Sequence, residues 1–210
     1  MPTDRLTGTT WREFVHAFVP FALFLTVANL AAETRSNPTL AKAAYTIWSA
    51  FLLAVPALVL FALFDLRRAP RTVYSYWRLF WTFGYLAYLA HFYVSAGVFF
   101  GWDFHQIAQK QTWPVAAMNY FLTVLWGIEV LIALFAGQRV GAWFTAYQWL
   151  TQVLFVAMVY VSAIQFKSGV VEVIGWVVVV LFVGAVLTRL LLGNTSRWMS
   201  GVATREAVAR

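Results

Sequence analysis

The chain has 210 residues, 62% of them hydrophobic and only 11% charged, with a net charge of +7 and no cysteine. Soluble domains average roughly 45–50% apolar and about 25% charged, so both departures point to the membrane. The lack of cysteine excludes disulfides, thiolate metal sites, iron–sulfur ligation and Cys nucleophiles. The basic residues fall beside apolar runs, where they set orientation and attract anionic lipid heads, so nucleic acid is not the partner they imply.

The tail 1–10 is read as irregular, with Thr9 or Thr10 capping the first helix and Glu13 completing a capping box. A span needs about 20 apolar residues to cross a ~30 Å hydrocarbon core. Six runs qualify, at about 14–32, 44–64, 79–101, 115–136, 142–164 and 173–192. Arg5 and Arg12 before the first run and Ala28, Ala31 and Ala32 at its end outline a signal peptide. The run is long for a signal, so it is taken as a retained helix. Pro20 and Pro56 lie inside spans one and two and are expected to kink them, with neighbouring helices satisfying the freed carbonyls. Asn37-Pro38 marks a turn between those spans. The tail 194–210 alternates basic and apolar residues, as in a short amphipathic helix on the membrane surface. Asn194-Thr195-Ser196 matches a glycosylation sequon by chance, and no internal repeat is evident. The expected fold is an all-α integral membrane protein: one domain over 1–210, a bundle of six transmembrane helices, with short loops and antiparallel sequential neighbours.

Orientation follows from the Lys and Arg count. One side carries Arg5, Arg12, Arg67, Arg68, Arg71, Arg78, Arg139, Arg189, Arg197, Arg205 and Arg210; the other carries Arg35, Lys42, Lys110 and Lys167. That division, 11 against 4, places both termini in the cytoplasm and the chain in the cell's inner membrane. Aromatics make up 19% of the chain, with 11 Trp, 9 Tyr and 19 Phe. They suit interfacial belts and helix packing, and also a pocket for a flat or long apolar ligand.

The chemically unusual residues concentrate at 77–136, which reads as the packing spine of the bundle. His91, near the middle of span three, shares a helical face with Gly84, Tyr88 and Ser95. That face either packs by hydrogen bonds across the bundle or presents His91 as a cofactor ligand, relay member or polar anchor. Span four offers a matching face of Asn119, Thr123, Trp126, Ala133 and Gly137, with Glu129 at its edge. Glu129 is costly in lipid unless paired, protonated or hydrated. Arg189, one turn inside span six, is its expected ion-pair partner; proton uptake by Glu129 is the alternative. Thr145, Gln148, Gln152 and Ser162 line one face of span five, where the two glutamines serve as interhelical glue or contact a ligand head. Span six has no polar side chain from Val177 to Leu187 and should face lipid.

The outer loop carries Asp103 and His105, a weak metal pair without a visible third ligand, although Glu33 and Glu172 lie on the same side. Depth excludes bis-histidine haem within one chain. His91 and His105 are about 21 Å apart along a continued helix, and His16 and His91 differ by about 15 Å in depth. A single axial His91 on haem or a pigment stays open. No nucleophile elbow, Walker loop or His-Glu-x-x-His motif occurs. The leading expectation is an accessory subunit of a larger respiratory or photosynthetic membrane complex. Its partners would be lipids and other membrane subunits or a second copy. It would bind a quinone, pigment or lipid through His91, Tyr88, Gln148, Gln152 and Trp126. The alternatives are a small transporter or carrier of an apolar or lipid-like molecule, and then a membrane enzyme with an outer metal site.

Overall fold

The structure, a computed structural model, describes residues 8–138, 141–165 and 169–193. All regular secondary structure among these residues is helical. The helices are α1 (Trp11–Glu33), α2 (Pro38–Leu63), α3 (Arg71–Phe92), α4 (Phe104–Gln111), α5 (Trp113–Phe135), α6 (Ala142–Val159) and α7 (Val170–Leu192). Helix α3 runs on in π-helical form over Tyr93–Phe99, and α6 does so over Tyr160–Gln165. Five helices are long and apolar enough to cross a membrane, and the bent pair Arg71–Phe99 with Phe104–Gln111 makes a sixth if counted as one span. The chain is a multi-pass helical membrane protein. The expected tail helix at 194–210, the sequon at Asn194, and the basic residues Arg5, Arg139, Lys167, Arg197, Arg205 and Arg210 lie outside the described residues.

Local chemistry sets the helix starts. Thr10 accepts from the Glu13 amide at 3.2 Å and the Glu13 carboxylate accepts from the Thr10 amide at 2.8 Å, closing a capping box. Asn37 caps α2, with Pro38 at the first helical position, where its missing N–H costs nothing. Asp103 caps α4 by accepting from the Gln106 amide at 3.0 Å. Replacing Thr10 by Ala should cost about 1 kcal/mol, read as a lower midpoint in a detergent melt. Unchanged melting would mean that the contacts of Glu13 with Ser75 and Arg71 hold α1 without the cap.

Helix α3 starts eight residues before the expected span (71 against 79). The reason is that Arg71, Tyr74, Ser75 and Arg78 end the apolar run but not the helix. Ser75 donates to Glu13 at 2.9 Å, Tyr74 donates to the Ala133 carbonyl at 3.2 Å, and Arg78 bonds Thr9. These contacts supply polar partners beyond the apolar run. At the other end of the same rod, the Phe100 amide donates to Ser95 and the Trp102 amide to Ala96. Gly101 and Trp102 then take positive φ, at 58° and 63°. The chain turns through 106° into α4, so part of the expected outer loop is helix. Positive φ is strained for Trp. Its indole lies against Phe92, Tyr93 and Phe104, which hold it in place.

The packing centre is α2, a correction to the expected spine at 77–136. Helix α2 packs against α1, α3, α7 and the first π segment, whereas α5 meets mainly α3, α4 and α6. Small residues explain the choice: Ala50, Ala54, Ala57 and Ala62 are all fully buried and let neighbouring backbones approach. At Gly84 of α3 a Cβ would lie 3.4 Å from the Ala54 backbone nitrogen. Helix α7 carries most of its apolar surface outward, as expected for span six, with Val173, Trp176, Val180 and Leu187 exposed.

Both ends of the bundle are tied by polar contacts. At the basic end, Arg71 pairs with buried Glu13 at 3.6 Å. Gln138 donates to the Leu66 and Ala69 carbonyls at 2.9 and 3.2 Å. His16 meets the Tyr76 hydroxyl at 2.7 Å. At the opposite end, Lys42 pairs with Glu33 at 2.5 Å.

Candidate functional site: a buried carboxyl between three helices

Glu129 sits on α5, fully buried, where α3 and α6 converge. Trp81 from α3 and Gln148, Thr151 and Gln152 from α6 face its carboxyl. All four are buried. The three α6 residues lie at helical spacings of three and four, which brings them onto one face. The Thr151 hydroxyl is spent on the Tyr147 carbonyl at 3.1 Å. Neither oxygen of Glu129 closes a hydrogen bond of normal geometry, and neither do the Gln152 amide or the Trp81 indole N–H. Buried polar groups are paired in the great majority of cases, and an exception calls for an explanation. The ring holds donors enough to bind a carboxyl in either protonation state, but no cation.

The expected Glu129–Arg189 ion pair is absent. Arg189 instead directs Nη1 at the carbonyls of Phe61, Ala62 and Phe64, at 3.4, 3.5 and 3.3 Å. The C-terminus of α2 presents unpaired carbonyls and a partial negative charge, so it competes well for a guanidinium.

Directly beyond Glu129, toward the opposite end, lies an aromatic cluster. Trp126 lies tilted against Trp81 with centroids 4.5 Å apart and meets Phe155 edge to face at 4.9 Å; Trp81 and Phe155 are 5.6 Å apart. Tyr88 follows at 5.5 Å from Trp126, and its hydroxyl meets Thr123 Oγ1 at 3.0 Å. Thr123 in turn donates to the Asn119 carbonyl at 2.7 Å. Thus the expected faces of spans three and four do meet, through Tyr88, Trp126, Thr123 and Asn119.

His91 touches them only through Tyr88, with ring centroids 6.1 Å apart. It turns toward α2, with Nδ1 at 2.7 Å from the Ala43 carbonyl, only a few residues from the start of that helix. It therefore lies nearer the opposite end than the mid-membrane depth expected. A carbonyl only accepts, so Nδ1 carries the proton and Nε2 keeps its lone pair. Among the described residues no group hydrogen-bonds Nε2. Glu129 and His91 thus occupy separate interfaces: α3 with α5 and α6 for one, α3 with α2 for the other.

Asp103 spends one carboxylate oxygen on the α4 cap, and His105 Nδ1 meets Gln109 at 3.1 Å. Glu33, proposed as a further outer ligand, pairs with Lys42. Among the described residues no three His, Asp or Glu side chains converge on a metal position.

Trp81, Thr151 and Tyr74 were not picked out from the sequence. Trp81 could have been: one turn before Gly84, it continues the stripe through Tyr88 and His91. Thr151 lies three residues after Gln148 and next to Gln152, on the same helical face. Compared with known proteins, the chain matches no family model, no curated sequence and no solved structure.

Proposed function

We propose that the chain is a small proton-coupled carrier of an apolar or lipid-like molecule, with Glu129 the group that takes up and returns the proton. One observation carries this reading: a carboxyl buried among Trp81, Gln148, Thr151 and Gln152, all uncharged, with neither oxygen in a hydrogen bond of normal geometry. Intramembrane ionisable groups are rare and mark proton or substrate paths, and a structural carboxyl would be paired. The broken rod of α3 and α4 fits the discontinuous helices common in carriers. In this reading the Arg-rich end faces the cytoplasm of a cell with the protein in its inner membrane.

The test uses liposomes containing the protein under an imposed pH gradient. Two probes are followed, a fluorescent short-chain phospholipid and a water-soluble quinone analogue. Movement of one probe should follow the gradient in the wild type. Glu129→Gln, eluting as a folded protein, should lose that dependence. Movement of both probes independent of the gradient in the wild type defeats the reading.

His91 supports a second reading, an accessory subunit that holds a pigment, haem or quinone against a larger membrane assembly. Metal-ligating histidines almost always donate their other N–H to a carbonyl or carboxylate, which is the arrangement of Nδ1 with Ala43. The free Nε2 would act as an axial ligand or accept from a quinol hydroxyl. Protein purified from native membranes in mild detergent should then carry a visible absorption band or a bound quinone. His91→Ala should lose it, and a colourless, quinone-free, solitary wild-type chain rules this reading out.

A further inference from the structure

The basic end of the bundle contains a small recess lined by Leu66, Arg67, Tyr74, Gln138, Phe144 and Gln148. Its volume is about 10 Å³, close to the size that admits one water molecule. Gln148 belongs both to this recess and to the ring around Glu129. Tyr74 lines the recess too, and its hydroxyl is fixed on the Ala133 carbonyl, one helical turn from Glu129. Arg67, which lines the recess, pairs with Asp65 at 3.4 Å, and Arg68 pairs with the same carboxylate at 3.9 Å. Gln138 braces the rim by donating to the Leu66 and Ala69 carbonyls. The recess thus places the polar side chains of Gln138, Tyr74 and Gln148 between Arg67 and the ring around Glu129. On the far side of Glu129 the packing is of another kind: Trp81, Trp126 and Phe155 are essentially fully buried and in mutual ring contact. Tyr74 from α3 and Tyr147 from α6 are near enough to feel the Glu129 charge, and the four groups that face its carboxyl, Trp81, Gln148, Thr151 and Gln152, are all uncharged.

We propose that Glu129 exchanges its proton with one side of the membrane only, the side of Arg67 and Arg68, through the recess that ends at Gln148, while Trp81, Trp126 and Phe155 close the other side. This rests on Glu129 as the proton-exchanging group and adds the route and its direction. The proton passes between the carboxyl oxygen and water in the recess, with Gln148, which borders both, as a positioning residue. No bond other than O–H is made or broken.

Sealed liposomes carrying oriented protein allow a direct test. The chain has no native cysteine, so an Arg68→Cys variant labelled with a membrane-impermeant thiol reagent reports which side faces out. The infrared carboxyl band that disappears in Glu129→Gln is then followed while the pH of one compartment is stepped. The band should follow the pH of the Arg68 side and ignore the other. Gln148→Leu should slow its hydrogen–deuterium exchange by about tenfold, the scale of one lost hydrogen-bonded step. Gln138→Leu at the rim gives the same comparison if Gln148→Leu does not fold. A band that follows the opposite compartment, or exchanges at the wild-type rate in both variants, overturns the route and leaves Glu129 as the proton group. If no band is lost in Glu129→Gln at any pH, both the route and the proton reading fall.

Discussion

Trp126→Ala should lower the unfolding free energy in detergent by about 3–5 kcal/mol. Trp126 is fully buried and its ring meets Trp81, Tyr85, Tyr88 and Phe155 at centroid distances between 4.5 and 5.5 Å. Beneath it lies Gly84, where a Cβ would come within 3.3 Å of the indole. Lipid tails are as apolar as a helix core, so no transfer from water rewards this packing. The loss comes from dispersion contacts and from the cavity left among rings too large to collapse into it. Trp143→Ala is the comparison, since Trp143 is 62% exposed and should change stability by no more than about 0.5 kcal/mol. Unfolding with a denaturing detergent, followed by fluorescence, measures both. Equal effects would show that the α3–α5–α6 interface is not where the bundle is held.

Glu129→Lys should destabilise the protein by about 3–5 kcal/mol, the cost of an uncompensated buried charge. Glu129→Gln should stay within about 1 kcal/mol of the wild type. The amide has nearly the same shape and meets the same partners, Gln148, Gln152 and Trp81. A lysine ammonium there would face one indole, two amides and one hydroxyl, with no carboxylate among them. It also sits too deep to extend to the membrane surface, being six residues from the end of α5, or roughly 9 Å along the axis. The same unfolding titration decides the matter. If the Lys and Gln variants are equally stable, the side chain at position 129 reaches solvent, and neither the buried ring nor the one-sided route survives.

Several features could be read from residues alone. The hydrophobic runs marked all the long helices, because crossing a hydrocarbon core demands a length that few soluble helices share. Thr10 with Glu13, and Asn37 with Pro38, announced two helix starts, because capping is chemistry between residues three apart. The spacing of Gln148 and Gln152 put them on one face, and Glu129 stood out as a carboxyl in an apolar run. Other features were hidden. The start of α3 at Arg71 lies outside the apolar run and depends on Ser75 and Tyr74 finding Glu13 and Ala133, each about 60 residues away. Depth alone points Arg189 at Glu129; the carbonyls ending α2 take its guanidinium instead.

Hydropathy, charge asymmetry and capping spacing thus settled that this is a multi-pass helical protein and which residues are chemically out of place. They did so because these are properties of one segment against its solvent, lipid or water. Which helix lies at the centre, and which out-of-place residues meet, are relations between segments. The alanines of α2 made it the hub, the turn at Gly101 and Trp102 folded the outer loop into α4, and the Ala43 carbonyl drew His91 away from Glu129. Only the packed bundle joins Glu129 to Trp81, Gln148, Thr151 and Gln152, because close packing, not sequence distance, decides which polar groups share one buried space.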